Sequence, residues 1–166
     1  LDVAGVSVWF RLSVGTQHHL VFFSTGQPKD DFYRPNNAGQ QLYGNSVIAL
    51  NASTGERKWH YQYIHHDLWD LDLPCAPIVT SLVHKGKKIP GLVQLTKTGN
   101  VLMFNRLTGE VLSDIEERSV PRSPLYGENT YPTQPYVKWP EPFSKQVVTE
   151  ADLTNLNPEA HAHALA

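Results

Sequence analysis

The chain has 166 residues, a formal net charge of −2, 40% hydrophobic and 18% charged residues, which suits a globular chain long enough to bury one core. A near-neutral balance with no basic run argues against nucleic acid or an anionic membrane surface as partner, and no apolar run reaches the roughly 20 residues that span a bilayer. Its one cysteine, Cys75, excludes an internal disulfide and a multi-cysteine zinc site.

Residues 6–10 and 19–23 read as strands rich in β-branched and aromatic side chains, with a hairpin-like turn at Gly15-Thr16-Gln17. Ser24-Thr25-Gly26-Gln27-Pro28 ends the second strand. Residues 28–44, with Pro35-Asn36-Asn37-Ala38-Gly39, read as a long polar loop, a kind of segment that is often functional in a compact domain. Residues 46–50 form the next expected strand, 51–55 a turn, and 56–61 the returning strand. Further strands are expected at 76–83, 89–95 and 101–105, separated by turns at 85–88 and 98–100. No helical periodicity interrupts this meander before about Thr149, so the fold class is all-β.

An internal repeat sharpens the architecture. Asn51, Thr54, Gly55 and Glu56 recur as Asn105, Thr108, Gly109 and Glu110, an offset of 54 residues, each set following an apolar strand. A repeat near 50 residues with about four strands per unit is the period of a β-propeller blade. After Leu112 the chain changes character. Pro121, Pro124, Pro132, Pro135, Pro140 and Pro142 predict an extended, polyproline-like covering segment rather than sheet. Thr149, with Asp152 three residues on, and Asn157-Pro158 read as two short helix starts. The expected organisation is therefore propeller blades over 1–115, a Pro-rich covering segment over 116–148, and a short helical tail over 149–166.

The chemistry concentrates in His65-His66-Asp67-Leu68-Trp69-Asp70-Leu71-Asp72. Three carboxylates, two imidazoles and an indole share eight residues, between an aromatic strand-like run and Leu73-Pro74. Pro74 cannot donate to a sheet ladder, so the stretch is a loop at a strand end. From the residues alone it is either a solvated acidic turn or an active-site edge.

These features resemble the quinoprotein dehydrogenases, eight-bladed propellers that bind pyrroloquinoline quinone (PQQ) and a metal ion. The family's blade signature, Ala-x-Asp-x-x-Thr-Gly-x-x-x-Trp, is similar to the run from Ala49 to Trp59, with Asn51 in place of Asp. Residues 9–28, 65–74 and 96–100 match in the family's order, and Tyr131-Pro132-Thr133-Gln134-Pro135-Tyr136 resembles a run of the membrane-bound glucose and polyol dehydrogenase branch. The resemblance implies two to three blades of a larger propeller, in keeping with a start at Leu1-Asp2-Val3 that carries neither an initiating Met nor the basic and apolar regions of a signal peptide.

The resemblance also implies roles. Trp9, 18 positions before Gln27, would be the flat floor under the quinone. Gln27 stands where the family places a metal-ligating Asn, its carbonyl offered to a hard cation. Asp70 falls on the catalytic aspartate, a general base and metal neighbour, and Asp72 on a second carboxylate of the cofactor site. Lys97, 27 positions after Asp70, would bond the quinone oxygens and stabilise the reduced anion. His65, His66 and Asp67 are read as ordering the loop or facing substrate.

The expected function is oxidation of a sugar, polyol or alcohol with PQQ and Ca²⁺, or another divalent or lanthanide ion, electrons passing to a quinone or cytochrome. The remaining propeller blades are expected partners, and the expected location is periplasmic, on a parent chain that could be anchored in the inner membrane. The isolated chain is expected neither to fold stably nor to turn over substrate. The alternative from another class is a non-catalytic propeller scaffold that keeps the Thr-Gly-x-x-x-Trp docking run.

Overall fold

Alternation along Leu20–Ser24 (β2) buries Leu20, Phe22 and Ser24 and turns Val21 and Phe23 the other way, the period of a strand with one face on a core. In the computed structural model, which describes residues 5–28, 33 and 39–166, β2 lies between Ser13–Gly15 (β1) and Ser46–Asn51 (β3). Arg57–Gln62 (β4) completes an antiparallel four-stranded sheet in the order β1-β2-β3-β4. Most of the long loop expected at 28–44 falls outside the described residues.

A second sheet follows in the order β5-β6-β7, from Ile78–His84 (β5), Lys87–Leu95 (β6) and Val101–Asn105 (β7). Lys85 and Gly86 both take positive φ, 49° and 74°, the geometry of a two-residue hairpin turn whose twist suits the flanking strands. Beyond β7, Val111 bridges back to Phe104. Asp114–Ser119 (β8) and Thr133–Trp139 (β9) then pair as a separate antiparallel ribbon.

Two expectations are corrected here. Residues 7–10 form no strand; Val6 alone bridges to Pro28, and it is β1 that pairs with β2. A β-prone run becomes a strand only where a ladder partner is available. The Pro-rich stretch, expected to be extended rather than sheet, carries β8 and β9. Pro135 sits within β9 opposite Glu117, and a two-stranded ribbon leaves each strand an outer edge where a missing N–H breaks no ladder. The tail agrees with expectation: Thr149 and Asp152 close a capping box on a 3-10 turn, and the Asn157 side chain accepts from Ala160 N–H to start Pro158–Leu165 (α1).

The repeat is a structural repeat. Asn51 N–H donates to Glu56 O at 2.8 Å and Asn105 N–H to Glu110 O at 2.9 Å. Gly55 and Gly109 take φ of 73° and 78°, a conformation open to glycine at little cost. Asn51 Oδ1 accepts from Ser53 and Thr54 N–H, and Asn105 Oδ1 from Leu107 N–H. An amide oxygen thus does what the signature's Asp carboxylate would do at this turn.

The core joins the two sheets. Leu20, Phe22, Val47, Ala49 and Trp59 from the first pack with Leu92, Leu102 and Phe104 from the second. Trp59 lies at the seam, its ring 5.7 Å from Phe104 and 6.0 Å from Phe22. A Cβ on Gly109 would come within 2.7 Å of the Trp59 ring, so the turn of the second repeat is the seat on which the tryptophan of the first one docks. One repeat later, the position of Trp59 is taken by Ser113. Its hydroxyl donates to Val101 O and accepts from Met103 N–H within its own sheet.

Candidate functional site

The acidic loop after β4 is built by its own side chains. Asp67 is fully buried. Its Oδ1 accepts from Trp69 N–H at 2.8 Å, and its Oδ2 from Leu71 N–H at 2.6 Å and Asn45 Nδ2 at 2.8 Å. A carboxylate can take all three because it only accepts. Asp67 therefore orders the loop and does not reach its surface.

The two histidines take partners outside the acidic loop. His66 is buried, its Nδ1 2.8 Å from Gly39 O. His65 is held by the ribbon: its N–H donates to Gln134 Oε1 at 2.9 Å, its carbonyl accepts from Gln134 Nε2 at 2.5 Å, and its Nε2 lies 3.1 Å from Glu117. Gln134, in β9, is thus a docking residue. The sequence signalled it only through the Thr-Gln-Pro run.

Between the pins of Asp67, Asp70 takes φ of 57° and turns its side chain outward. Lys97, in the turn after β6, donates to Asp70 Oδ2 at 2.7 Å. The hydrogen bond to Asp70 raises the Lys97 pKa above its ordinary value, and the charges of Asp70, Asp72 and Asp67 add to this. Asp72 is buried and accepts from Gln27 N–H at 2.5 Å. Burial pushes its carboxyl upward first; Asp70 and Asp67 add to that, while the Gln27 N–H and Lys97 oppose it.

A cleft of about 420 Å³ opens here, bordered by Trp9, Gly26, Gln27, Asp70 and Asp72. Four of the five sequence-predicted residues thus share one cavity, and the fifth, Lys97, is joined to it through Asp70. Gly26 makes the closeness possible. A Cβ there would lie 2.7 Å from Asp72 Oδ1 and 2.9 Å from Trp9 Nε1. The Trp9 ring is more than half exposed, at 56%, which leaves it a face for a flat ligand.

These residues fit a planar aromatic cofactor: an exposed indole and two carboxylates gathered at one cleft, with an ammonium paired to one of them. They do not by themselves make a metal centre. Among the described residues no three His, Cys, Asp or Glu side chains converge to hold an ion, so an ion beside Asp70 and Gln27 would need further ligands.

Comparison with known proteins follows the same direction. The family model for "PQQ: Glucose/ethanol/alcohol dehydrogenase, beta-propeller domain" matches residues 2–166. The chain is similar to the quinoprotein glucose dehydrogenase of Escherichia coli (strain K12), 36% identical over 129 residues, 77% of this chain and 16% of the relative. It is also similar to a probable quinate dehydrogenase (quinone) of Xanthomonas campestris pv. juglandis, 36% identical over 149 residues, 89% of this chain and 19% of the relative. Among solved structures, the quinohemoprotein alcohol dehydrogenase ADHIIG of Pseudomonas putida HK5 superposes with a TM-score of 0.61 at 31% identity. That match covers 66% of this chain and 16% of that structure. The chain thus spans less than a fifth of the length of these relatives.

Proposed function

Since the chain belongs to the PQQ glucose/ethanol/alcohol dehydrogenase β-propeller family, we propose that it forms part of an oxidoreductase that takes hydride from a sugar, polyol or alcohol. The observation that carries this reading is the shared cleft of Trp9, Gln27, Asp70 and Asp72, with Lys97 paired to Asp70 at 2.7 Å.

PQQ, when bound, supplies a two-electron acceptor. This chain supplies the surroundings. Trp9 offers the flat apolar face on which such a ring stacks and from which water is excluded. Asp70 is the general base: Lys97 engages Oδ2, so Oδ1 is the oxygen that accepts the proton of the substrate hydroxyl as hydride leaves the carbinol carbon. Protonation of Asp70 weakens its pairing with Lys97 and turns the ammonium into a donor for negative charge developing in the cleft. Asp72, tied to the Gln27 main chain, fixes the wall beside Trp9.

A Ca²⁺, other divalent or lanthanide ion belongs to this proposal, with Asp70 and Gln27 as the groups this chain would offer it. So do a quinone or cytochrome acceptor, the neighbouring blades and a periplasmic location. The test is reconstitution of the complete propeller from cofactor-free protein. Dye reduction with glucose, a polyol, quinate or a simple alcohol should require added PQQ. No PQQ binding and no dye reduction with any of these substrates would overturn the reading.

A further inference from the structure

The proposed base is a single side chain on a loop, and something must hold it in place. Asp70 sits at φ of 57°, a left-handed conformation that Asp enters more readily than most side chains but that still needs local support to be held. The bonds that enforce it lie one residue to either side: Trp69 N–H and Leu71 N–H both donate to the Asp67 carboxylate, at 2.8 and 2.6 Å. We infer that Asp67 is a positioning residue for Asp70, clamping the backbone on both sides of it so that its carboxylate faces Lys97 and the cleft. This rests on the reading of Asp70 as the base.

The clamp is itself anchored to the cleft. Asn45 is fully buried. Its Nδ2 donates to Asp67 Oδ2 and to Leu71 O, at 2.8 and 3.0 Å. Its own N–H donates to Gly26 O at 2.9 Å, and Gly26 is the residue on which Trp9 and Asp72 close. One chain of hydrogen bonds, Gly26–Asn45–Asp67–Trp69/Leu71, therefore sets the base relative to the cleft wall. Asp67 has no exposed surface, so it touches neither substrate nor cofactor and acts only through the loop.

The chemistry of the clamp makes a sharp substitution available. Asp67 faces three donors with an acceptor-only group. Asp67→Asn keeps the shape but turns one end into an amide NH₂ that must meet at least one of those donors head-on. The side chain fits, yet the loop cannot stay clamped on both sides of residue 70.

In the complete propeller reconstituted with PQQ, Asp67→Asn should lower kcat at least tenfold and leave PQQ affinity within threefold. It should speed amide exchange of the peptide covering Trp69 and Leu71 at least tenfold, with exchange in β2, β3 and β4 unchanged. Added to Asp70→Asn, it should lower the residual rate by no more than twofold, because a positioning residue has nothing left to position. Turnover within twofold of wild type, unchanged exchange at Trp69 and Leu71, or a full further loss in the double variant would each overturn the inference. Should Asp67→Asn fail to fold, Asn45→Ala, which removes one donor and leaves the carboxylate, serves instead: a kcat loss of threefold or more supports the clamp and an unchanged kcat overturns it. Undiminished turnover in Asp70→Asn alone would refute the base and not the clamp, which the amide exchange reads with or without turnover.

Discussion

Trp59 and Gly109 meet across the seam between the two sheets: the indole rests where the Cβ of any other residue at 109 would stand, and its Nε1 donates to Arg106 O at 2.9 Å. That contact makes two repeats into one core, because it joins the tryptophan of one blade signature to the Thr-Gly turn of the next.

Gly109→Ala should therefore cost more than the strain of its backbone. The φ of 78° penalises any L side chain by about 1–2 kcal/mol, and a Cβ 2.7 Å from the Trp59 ring adds overpacking of about 1–3 kcal/mol. Gly86→Ala, at φ of 74° with nothing within 4 Å, pays the strain alone. Urea midpoints of the complete propeller should fall for both variants, and further for the first than for the second.

Gln134 holds the ribbon to the acidic loop by two bonds to the His65 main chain. Gln134→Ala leaves a buried donor and a buried acceptor unmet, at about 1–3 kcal/mol each. Limited proteolysis should then cut the β8–β9 connection faster than in wild type. Gln134→Glu, which can accept from His65 N–H but cannot donate to its carbonyl, should fall between the two.

Asp72 should make stability depend on pH. Its folded pKa is raised, mainly by burial, so the folded state holds its proton more tightly than the unfolded chain. The stability this group contributes is complete below its unfolded value of about 3.9 and is lost as pH rises through the folded pKa. Asp72→Asn keeps an oxygen for the Gln27 N–H and does not titrate. In cofactor-free protein the melting temperature of this variant should gain on wild type as pH rises from about 4; a constant difference as pH rises would contradict the burial of a charged Asp72.

Much of the blade architecture was legible because its determinants are local. Asn51 and Asn105 cap their turns with their own side chains, and Gly55 and Gly109 supply the positive φ, so four residues per repeat announce the turn. What escaped was set by partners distant in sequence. The run at residues 6–10 has the composition of a strand and lacks its ladder, while Pro135 looks like a breaker and sits harmlessly on a ribbon edge. At the site, the family resemblance pointed to Lys97 and Asp70 without revealing that the ammonium bonds the carboxylate itself. From the residues Asp67 could order the loop or face substrate; its burial and its bond to Asn45, 22 positions earlier, select the first.

The role of Asp70 as acceptor of the substrate proton is read out by Asp70→Asn in the PQQ-reconstituted propeller. PQQ should still bind and the fold be kept, while PQQ-dependent dye reduction falls by roughly a hundredfold or more, the contribution of a general base. Turnover equal to wild type with the cofactor bound would contradict that role.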